Sequence, residues 1–234
     1  LGFIDVILVG LTDINFLFKV KGWNTSMAQA IEIRRVDQIP QGKLGIWLFL
    51  LMDGLSFATI LIGDAYLRTN GAPWPQAGTV LNVPLTAVNT TILLFSSLTM
   101  MLALQAVRVD DQNAFRKNLL LTFTLGAAFL GIQAYEYAHF IIGGEHLKSA
   151  LSAAGFGGHY FRPNGSIYAA CFYGATGFHG LHVLAGLIFM IYILIGAYQR
   201  RWSAANHGRV EVLTLYWHFV DLMWMFVFTV VYLL

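Results

Sequence analysis

The hydrophobic residues of this chain come in long unbroken runs, and the polar ones gather between them. Five runs are long enough to cross a bilayer as a helix: about 43–67, 84–107, 118–142, 166–198 and 211–234. A spanning helix needs roughly 20 mostly apolar residues. The fourth run exceeds that length and predicts a tilted helix or one that extends past the bilayer. Strands of a membrane barrel would alternate apolar and polar residues over about ten positions. These runs are apolar all round, so the pattern predicts an all-α, polytopic transmembrane helix bundle. The first twenty residues, "LGFIDVILVGLTDINFLFKV", are apolar but interrupted by Asp5, Asp13 and Lys19. They predict a weak sixth span, an interfacial helix or a segment docked on a partner. The chain thus divides into an N-terminal segment, 1–42, holding that weak helix and a cytoplasmic linker, and a helical bundle, 43–234. It does not open on Met, so its natural start is expected upstream. No basic stretch precedes the first apolar run, so that run does not read as a cleavable signal.

Composition supports the membrane assignment. Apolar residues make up 57% of the chain and charged ones 11%, too little charge to cover a soluble domain. The basic residues are unevenly placed. Lys19, Lys21, Arg34, Arg35 and Lys43 precede the first clear span, Arg108, Arg116 and Lys117 lie between the second and third, and Arg200, Arg201 and Arg209 between the fourth and fifth. The opposite side has Arg68, Lys148 and Arg162. The positive-inside rule puts the first group in the cytoplasm and the C-terminus outside. Basic residues that flank spans form no nucleic-acid patch. "NGAPWPQAG", Asn70 to Gly78, reads as an outer turn with Trp74 at headgroup depth. The Gly-rich outer loop at about 143–165, with His146 and His159, reads as a cover over the bundle or a partner. Cys171 is the single cysteine. It excludes an intrachain disulfide and reads as a small buried residue.

Ionisable groups inside spans cost about 2.5–3.5 kcal/mol each at a helix centre on insertion scales. The candidates are Asp53 in "WLFLLMDGLSF", Glu136 in "IQAYEYAHF" with His139 three residues on, His179 and His182 in "YGATGFHGLHVLAG", and His218 and Asp221 in "YWHFVDLMW". No Lys or Arg lies deep in a span. The acids must therefore be protonated or paired with histidines across helix interfaces. Residues three or four apart share a helix face. That groups His179 with His182, His218 with Asp221, and Gln133 with Glu136. Gly174, Gly177 and Gly180 form a small-residue stripe for close helix packing. Trp217, Asp221 and Trp224 share a stripe on the last span. Interhelical hydrogen bonding and proton carriage both fit such a network. Metal ligation by the HxxH pair with Glu136, and haem ligation by a histidine, are further readings. No paired broken helices in two halves support a transporter.

Several of these segments resemble subunit III of the haem–copper oxidases, the cytochrome c and quinol oxidase family. "LGIWLFLLMDGLSF" resembles the family's first core helix with its buried acid. "VPLTAVNTTILLFSS" is similar to the start of the next, and "TFTLGAAFLGIQAYEY" (Thr122 to Tyr137) carries the QxxEY ending. "ATGFHGLHVLAG" (Ala175 to Gly186) and "YWHFVDLMWMFVF" (Tyr216 to Phe228) are the most specific. The resemblance covers about residues 43–234. It departs in lacking two clear N-terminal spans, as in short prokaryotic forms, and in having Asp53 where cytochrome c oxidases usually have Glu.

The resemblance implies a non-redox subunit of a proton-pumping terminal oxidase that reduces oxygen to water. Haems and copper would sit in subunits I and II, with no cofactor or metal on this chain and no catalytic residue. His179 and His182 become structural hydrogen-bonding groups, and Asp53 is expected to contact His182. Asp53 and Glu136 would support proton uptake. Bound phospholipid is implied, with Trp47, Trp217, Trp224 and Arg201 as expected contacts. Subunit III in this family stabilises subunit I, within the bacterial cytoplasmic membrane. Other classes are a nitric-oxide-reductase accessory subunit, a stand-alone proton or solute transporter, and a subunit joining the oxidase to a cytochrome bc-type or alternative complex III. Residues 1–42, with Trp23 and the Arg34–Arg35 pair, are where that last contact would form.

Overall fold

The computed structural model describes residues 41–70, 81–142 and 166–234, with the single positions 152, 161 and 163. The expectations for the segment 1–40, the Trp74 turn and the outer-loop histidines His146 and His159 lie outside the described residues. Among the described residues, five helices are long and apolar enough to cross a membrane. They are α1 (Gln41–Thr69), α2 (Val83–Arg108), α3 (Gln112–Ile142), α4 (Ile167–Tyr198) and α5 (Gly208–Val227). A π-helical turn, Phe228–Leu233, continues α5.

The ends of these helices follow local chemistry. Asn82 caps α2 by accepting a hydrogen bond from the Leu85 backbone, with Pro84 in the first turn where it gives up no needed donor. Ser166 caps α4 by accepting from the backbone of Ala169. Asp111 caps α3, its Oδ1 accepting from the amides of Asn113 and Ala114 at 3.1 and 3.0 Å. The turns after α2 and α4 close alike. Asp110 (φ 59°) and Arg200 (φ 53°) take the left-handed conformation just past α2 and α4. The next amides, of Asp111 and Arg201, then reach back to the carbonyls of Ala106 and Gly196 at 3.0 and 2.9 Å. Asp110 also accepts from the backbone of Ala204 at 2.7 Å, which ties these two turns together.

Helices α2, α3, α4 and α5 pack in a ring in which each touches the next and α5 returns to α2. At its centre stands Trp217, wholly buried, over two glycines. A Cβ on Gly126 or Gly186 would lie 2.7 or 2.8 Å from the indole carbons. The indole N–H donates to Ser96 Oγ at 3.0 Å, so one α5 side chain joins α2, α3 and α4. Two turns on, Trp224 donates to Thr90 Oγ1 at 2.9 Å and meets Phe129 edge-on, ring centres 4.9 Å apart. A third tryptophan, Trp202, closes the turn after α4 over Gly196 and donates to the Ile193 carbonyl at 2.8 Å. Trp217 and Trp224 were expected at lipid. Their burial corrects this: the indole N–H groups find acceptors only between helices, where hydrocarbon offers none.

Helix α1 is attached differently. Its buried side chains fall on one stripe, Leu50, Asp53, Phe57 and Asp64, while Trp47, Leu51, Met52, Leu55 and Ile62 are exposed. Gly45 and Gly63 have nothing near the position of a Cβ. α1 thus leans on the ring through a few long side chains rather than close backbone contact.

Gly126→Ala and Gly186→Ala are each expected to destabilise the bundle by about 1–3 kcal/mol, because the indole has no free space to yield. Gly63→Ala, facing open space, is expected to be neutral. Unfolding midpoints in mixed detergent micelles compare the three directly, and equal midpoints would contradict the wedge.

Candidate functional site: the polar interior of the bundle

Asp53 and His182 meet where α1 leans on α4. Asp53 Oδ1 lies 3.0 Å from His182 Nε2. The other ring nitrogen, Nδ1, lies 2.8 Å from the carbonyl of Phe178, one turn back on α4. A carbonyl only accepts, so Nδ1 carries a proton. One further proton is then shared between Nε2 and the carboxyl, as imidazolium–carboxylate or imidazole–carboxylic acid. Both ring nitrogens are engaged, which leaves His182 no lone pair for a metal. The rings of Phe57 and Phe178 flank the imidazole, with centres 5.2 and 4.7 Å away. Tyr216 on α5 donates to the His182 carbonyl at 2.9 Å, so three helices hold this position. Asp53 Oδ2 has no partner among the described residues.

Glu136 forms a second centre. Its Oε2 accepts from the Tyr232 hydroxyl at 3.0 Å and its Oε1 from Thr86 Oγ1 at 3.5 Å. The carboxyl thus joins α3 to α2 and to the π-helical turn. Of the two ways expected for a buried acid, protonation or pairing with a histidine, no histidine is paired with Glu136 among the described residues, and hydroxyls donate to it. His139, one turn on, is exposed. Gln133, grouped with Glu136 from spacing, turns to α4 instead. Its Nε2 donates to the Thr176 carbonyl at 3.1 Å and towards Tyr137 Oη at 3.4 Å.

The remaining candidates separate. His179 is wholly buried, but neither ring nitrogen has a hydrogen-bond partner among the described residues. It packs against rings, with Trp224 at 4.8 Å and Phe129 at 5.9 Å between centres. Spacing of i, i+3 groups the two histidines on one face, but His182 turns to α1 and His179 into the ring. His218 Nδ1 lies 2.8 Å from the Thr214 carbonyl on its own helix. Asp221 is buried, and its Oδ1 has no partner among the described residues. The glycine stripe is only partly a packing surface. Gly180 faces Leu130 and Gln133 and Gly177 faces the Tyr137 hydroxyl, whereas Gly174 faces open space. Trp47 (59% exposed) and Arg201 lie on the surface. Among the described residues, no three His, Cys, Asp or Glu side chains converge as a metal site.

Sequence reasoning missed two parts of this interior. Asp64 is buried in α1 near Cys171 and Arg68. Its signal was spacing: Asp53, Phe57 and Asp64 fall on one helical stripe. One turn on, Arg68 donates to the Leu234 carbonyl. The hydroxyl groups were also missed. Thr99 and Thr122 bond across α2 and α3 at 2.8 Å, and Thr90, Thr176 and Thr214 satisfy carbonyls on their own helices. At the end of the bundle where α5 begins, Glu211 binds Arg108 at 2.7 Å and His207 at 3.1 Å, and Arg116 donates to the Ala197 carbonyl.

A family model described as cytochrome c oxidase subunit III matches residues 3–234. The match takes in the N-terminal segment that the motif resemblance had left out. The chain is 36% identical over 190 residues to the cytochrome bo(3) ubiquinol oxidase subunit 3 of Pseudomonas aeruginosa, covering 81% of this chain and 83% of that one. It is 32% identical over 217 residues to the cytochrome c oxidase subunit 3 of Thermostichus vulcanus, covering 92% and 98%. It is 34% identical over 193 residues to the cytochrome c oxidase subunit 3 of Bacillus sp. strain PS3, covering 82% and 84%.

A double-mutant cycle of Asp53→Asn and His182→Ala is expected to give a coupling of about 0.5–3 kcal/mol, as for side chains in direct contact. Strict additivity would remove the pair. Tyr232→Phe is expected to cost about 1 kcal/mol by leaving a Glu136 oxygen without its donor. The same substitution in a Glu136→Gln background should cost less, and an equal loss would show that the hydroxyl acts elsewhere.

Proposed function

The chain belongs to the cytochrome c oxidase subunit III family, and from that premise we propose that it is the non-redox membrane subunit of a proton-pumping haem–copper terminal oxidase. In this reading the haems and copper belong to subunits I and II, its partners. This chain stabilises subunit I, binds phospholipid and supports proton uptake. The observation that carries the reading is the double engagement of His182. A histidine with one nitrogen on its own helix and the other on Asp53 is a structural link with a shared proton, and it leaves no ligand position.

Proton support is assigned to Asp53 and Glu136, the acids held by a histidine and by two hydroxyls. Lipid contact is assigned to Trp47 and Arg201, both on the surface. Trp47 lies in the opening turns of α1 and Arg201 just past the end of α4. In an up-and-down bundle these are the same membrane face, and an exposed indole beside a guanidinium suits an anionic headgroup. The basic rim then faces the cytoplasm and the C-terminus the periplasm, in the cytoplasmic membrane of a bacterium. A quinol as electron donor is a second reading, favoured by the ubiquinol oxidase subunit among the similar chains. Contact with a bc-type or alternative complex III is assigned to residues 1–42.

Asp53→Ala in the assembled oxidase tests the supporting role. Initial oxygen consumption is expected to stay near wild type, while activity decays roughly tenfold faster during sustained turnover, the factor that about 1.4 kcal/mol of lost packing allows. Immediate and complete loss of oxygen reduction would contradict the role. A reduced-minus-oxidised spectrum of the complex purified through this chain should show haem bands from a co-purifying large subunit. A haem-free single chain would favour a stand-alone transporter instead.

A further inference from the structure

The last turn of the fifth span leaves the α-helix without a local cause. Phe228–Leu233, "FTVVYL", holds neither Gly nor Pro. Its ladder nevertheless widens to the i→i−5 bond, as from the Leu234 amide to the Thr229 carbonyl at 3.0 Å. At the junction the Thr229 hydroxyl donates to the Met225 carbonyl at 2.8 Å. Turns of this kind are rare and concentrate at functional places, so the hold on this one is sought outside the segment.

Residues seven apart lie on the same side of an α-helix, about two turns on. An unbroken α5 would put Val231 over Trp224 and Tyr232 over Met225, which is 38% exposed. Tyr232 is instead 1% exposed, and its ring centre lies 6.2 Å from that of Trp224. The wider turn swings it inward, where its hydroxyl donates to Glu136 Oε2 at 3.0 Å. The same turn brings the Leu234 carbonyl to Arg68 of α1, one turn past the buried Asp64. The π turn therefore has two anchors, Glu136 on α3 and Arg68 on α1. For α1, which leans on the ring through few side chains, the second anchor is a substantial part of its attachment.

The Glu136 anchor is built to take a proton without losing a partner. Ionised, its two oxygens accept from Tyr232 and from Thr86. Thr86 Oγ1 also lies 3.2 Å from the Asn82 carbonyl, which only accepts. A proton on Glu136 Oε1 can therefore be donated to Thr86 Oγ1 while Thr86 donates to Asn82. Tyr232 keeps its place on Oε2 in both states, but its bond to a carboxylate is roughly twice as strong as its bond to a neutral acid. The titratable groups within electrostatic reach are Tyr232, Tyr137 on the same helix and Tyr173 on α4, while α2 presents Thr86. We propose that the end of α5 is a proton-sensitive latch. The Tyr232–Glu136 bond holds the π turn, and with it Arg68. A proton on Glu136 loosens the turn, so that residues 228–234 return to the α ladder and release the Arg68 end of α1. The latch rests on contacts within this chain and stands apart from the Asp53–His182 pair and from the oxidase reading.

The test places the assembled complex, its tyrosines isotopically labelled at Cζ, in nanodiscs whose lipids carry a nitroxide on the acyl chain. The Tyr232 resonance is identified by its loss in Tyr232→Phe. In the unaltered protein its relaxation by the nitroxide is expected to be slight at high pH and to rise as pH falls, because a proton on Glu136 weakens the bond. Glu136→Leu removes the acceptor and should raise that relaxation about tenfold at every pH, the ratio for one hydrogen bond to a charged group. Coupling between two sites is reciprocal, so Arg68→Gln should also raise it, although Arg68 holds the turn from its other end. Relaxation of Tyr232 that is independent of pH in the unaltered protein would overturn the proposal without any variant. A Tyr232 still shielded in Glu136→Leu would mean that packing alone holds the turn. Shielding unchanged in Arg68→Gln would remove α1 from the device. Either result overturns the latch.

Discussion

Hydrocarbon supplies no hydrogen bonds, so each polar group in a span must find its partner on its own helix or on a neighbour. That constraint organises this bundle. The Trp217 indole N–H has no use at the lipid surface and a good partner in Ser96, so the largest side chain of α5 turns inward. Once there it needs room, and Gly126 and Gly186 provide it on the two facing helices. Burial, hydrogen bond and glycine are one arrangement. Trp224 repeats it at the level of Thr90 and Phe129. The ring of four helices therefore closes through α5, and side chains that look amphipathic along the sequence become its core.

Against this closed ring, α1 is held by few contacts. Leu50 and Phe57 supply apolar packing, and Asp53 supplies the polar link to His182. In an aqueous protein such an ion pair would be worth little at the surface and would cost desolvation inside. In a membrane the comparison differs, because a separated Asp53 would have no water to return to. Sharing one proton with His182 lets the pair be formally neutral while the two helices stay joined. The exposed apolar face of α1 is then left for lipid or a partner helix.

The helices were legible because twenty apolar residues in a row have one stable form in a bilayer. The site was legible only in part. Residue type announced Asp53, Glu136, His179 and His182, since a charge in a span is costly wherever it sits. Which of them meet was not legible from spacing. A period of three or four names a shared face without saying which neighbour that face meets. His182 and His179 illustrate this: three residues apart, one bonds to α1 and the other lies among aromatic rings of α3 and α5. Glu136 was legible as a buried acid, but its partners come from α2 and from a turn after α5, ninety-six residues away along the chain for Tyr232. Asp64 was passed over because Arg68 follows it by one turn, and the hydroxyls because threonine is common in spans.

The same physics bears on what kind of subunit such a bundle can be. A redox or metal centre needs side chains with lone pairs held open and converging, and holding them open in hydrocarbon costs free energy that a bound ion must return. Here His182 and His218, within the spans, spend Nδ1 on their own helix, at the Phe178 and Thr214 carbonyls. Each Nδ1 is thereby held as a donor along the helix axis, which leaves Nε2 to reach outward. Nε2 of His182 reaches an acid rather than a second histidine. One shared proton thus joins α1 to α4. That suits a subunit whose helices must stay in register beside a working enzyme more than one that performs the reaction itself.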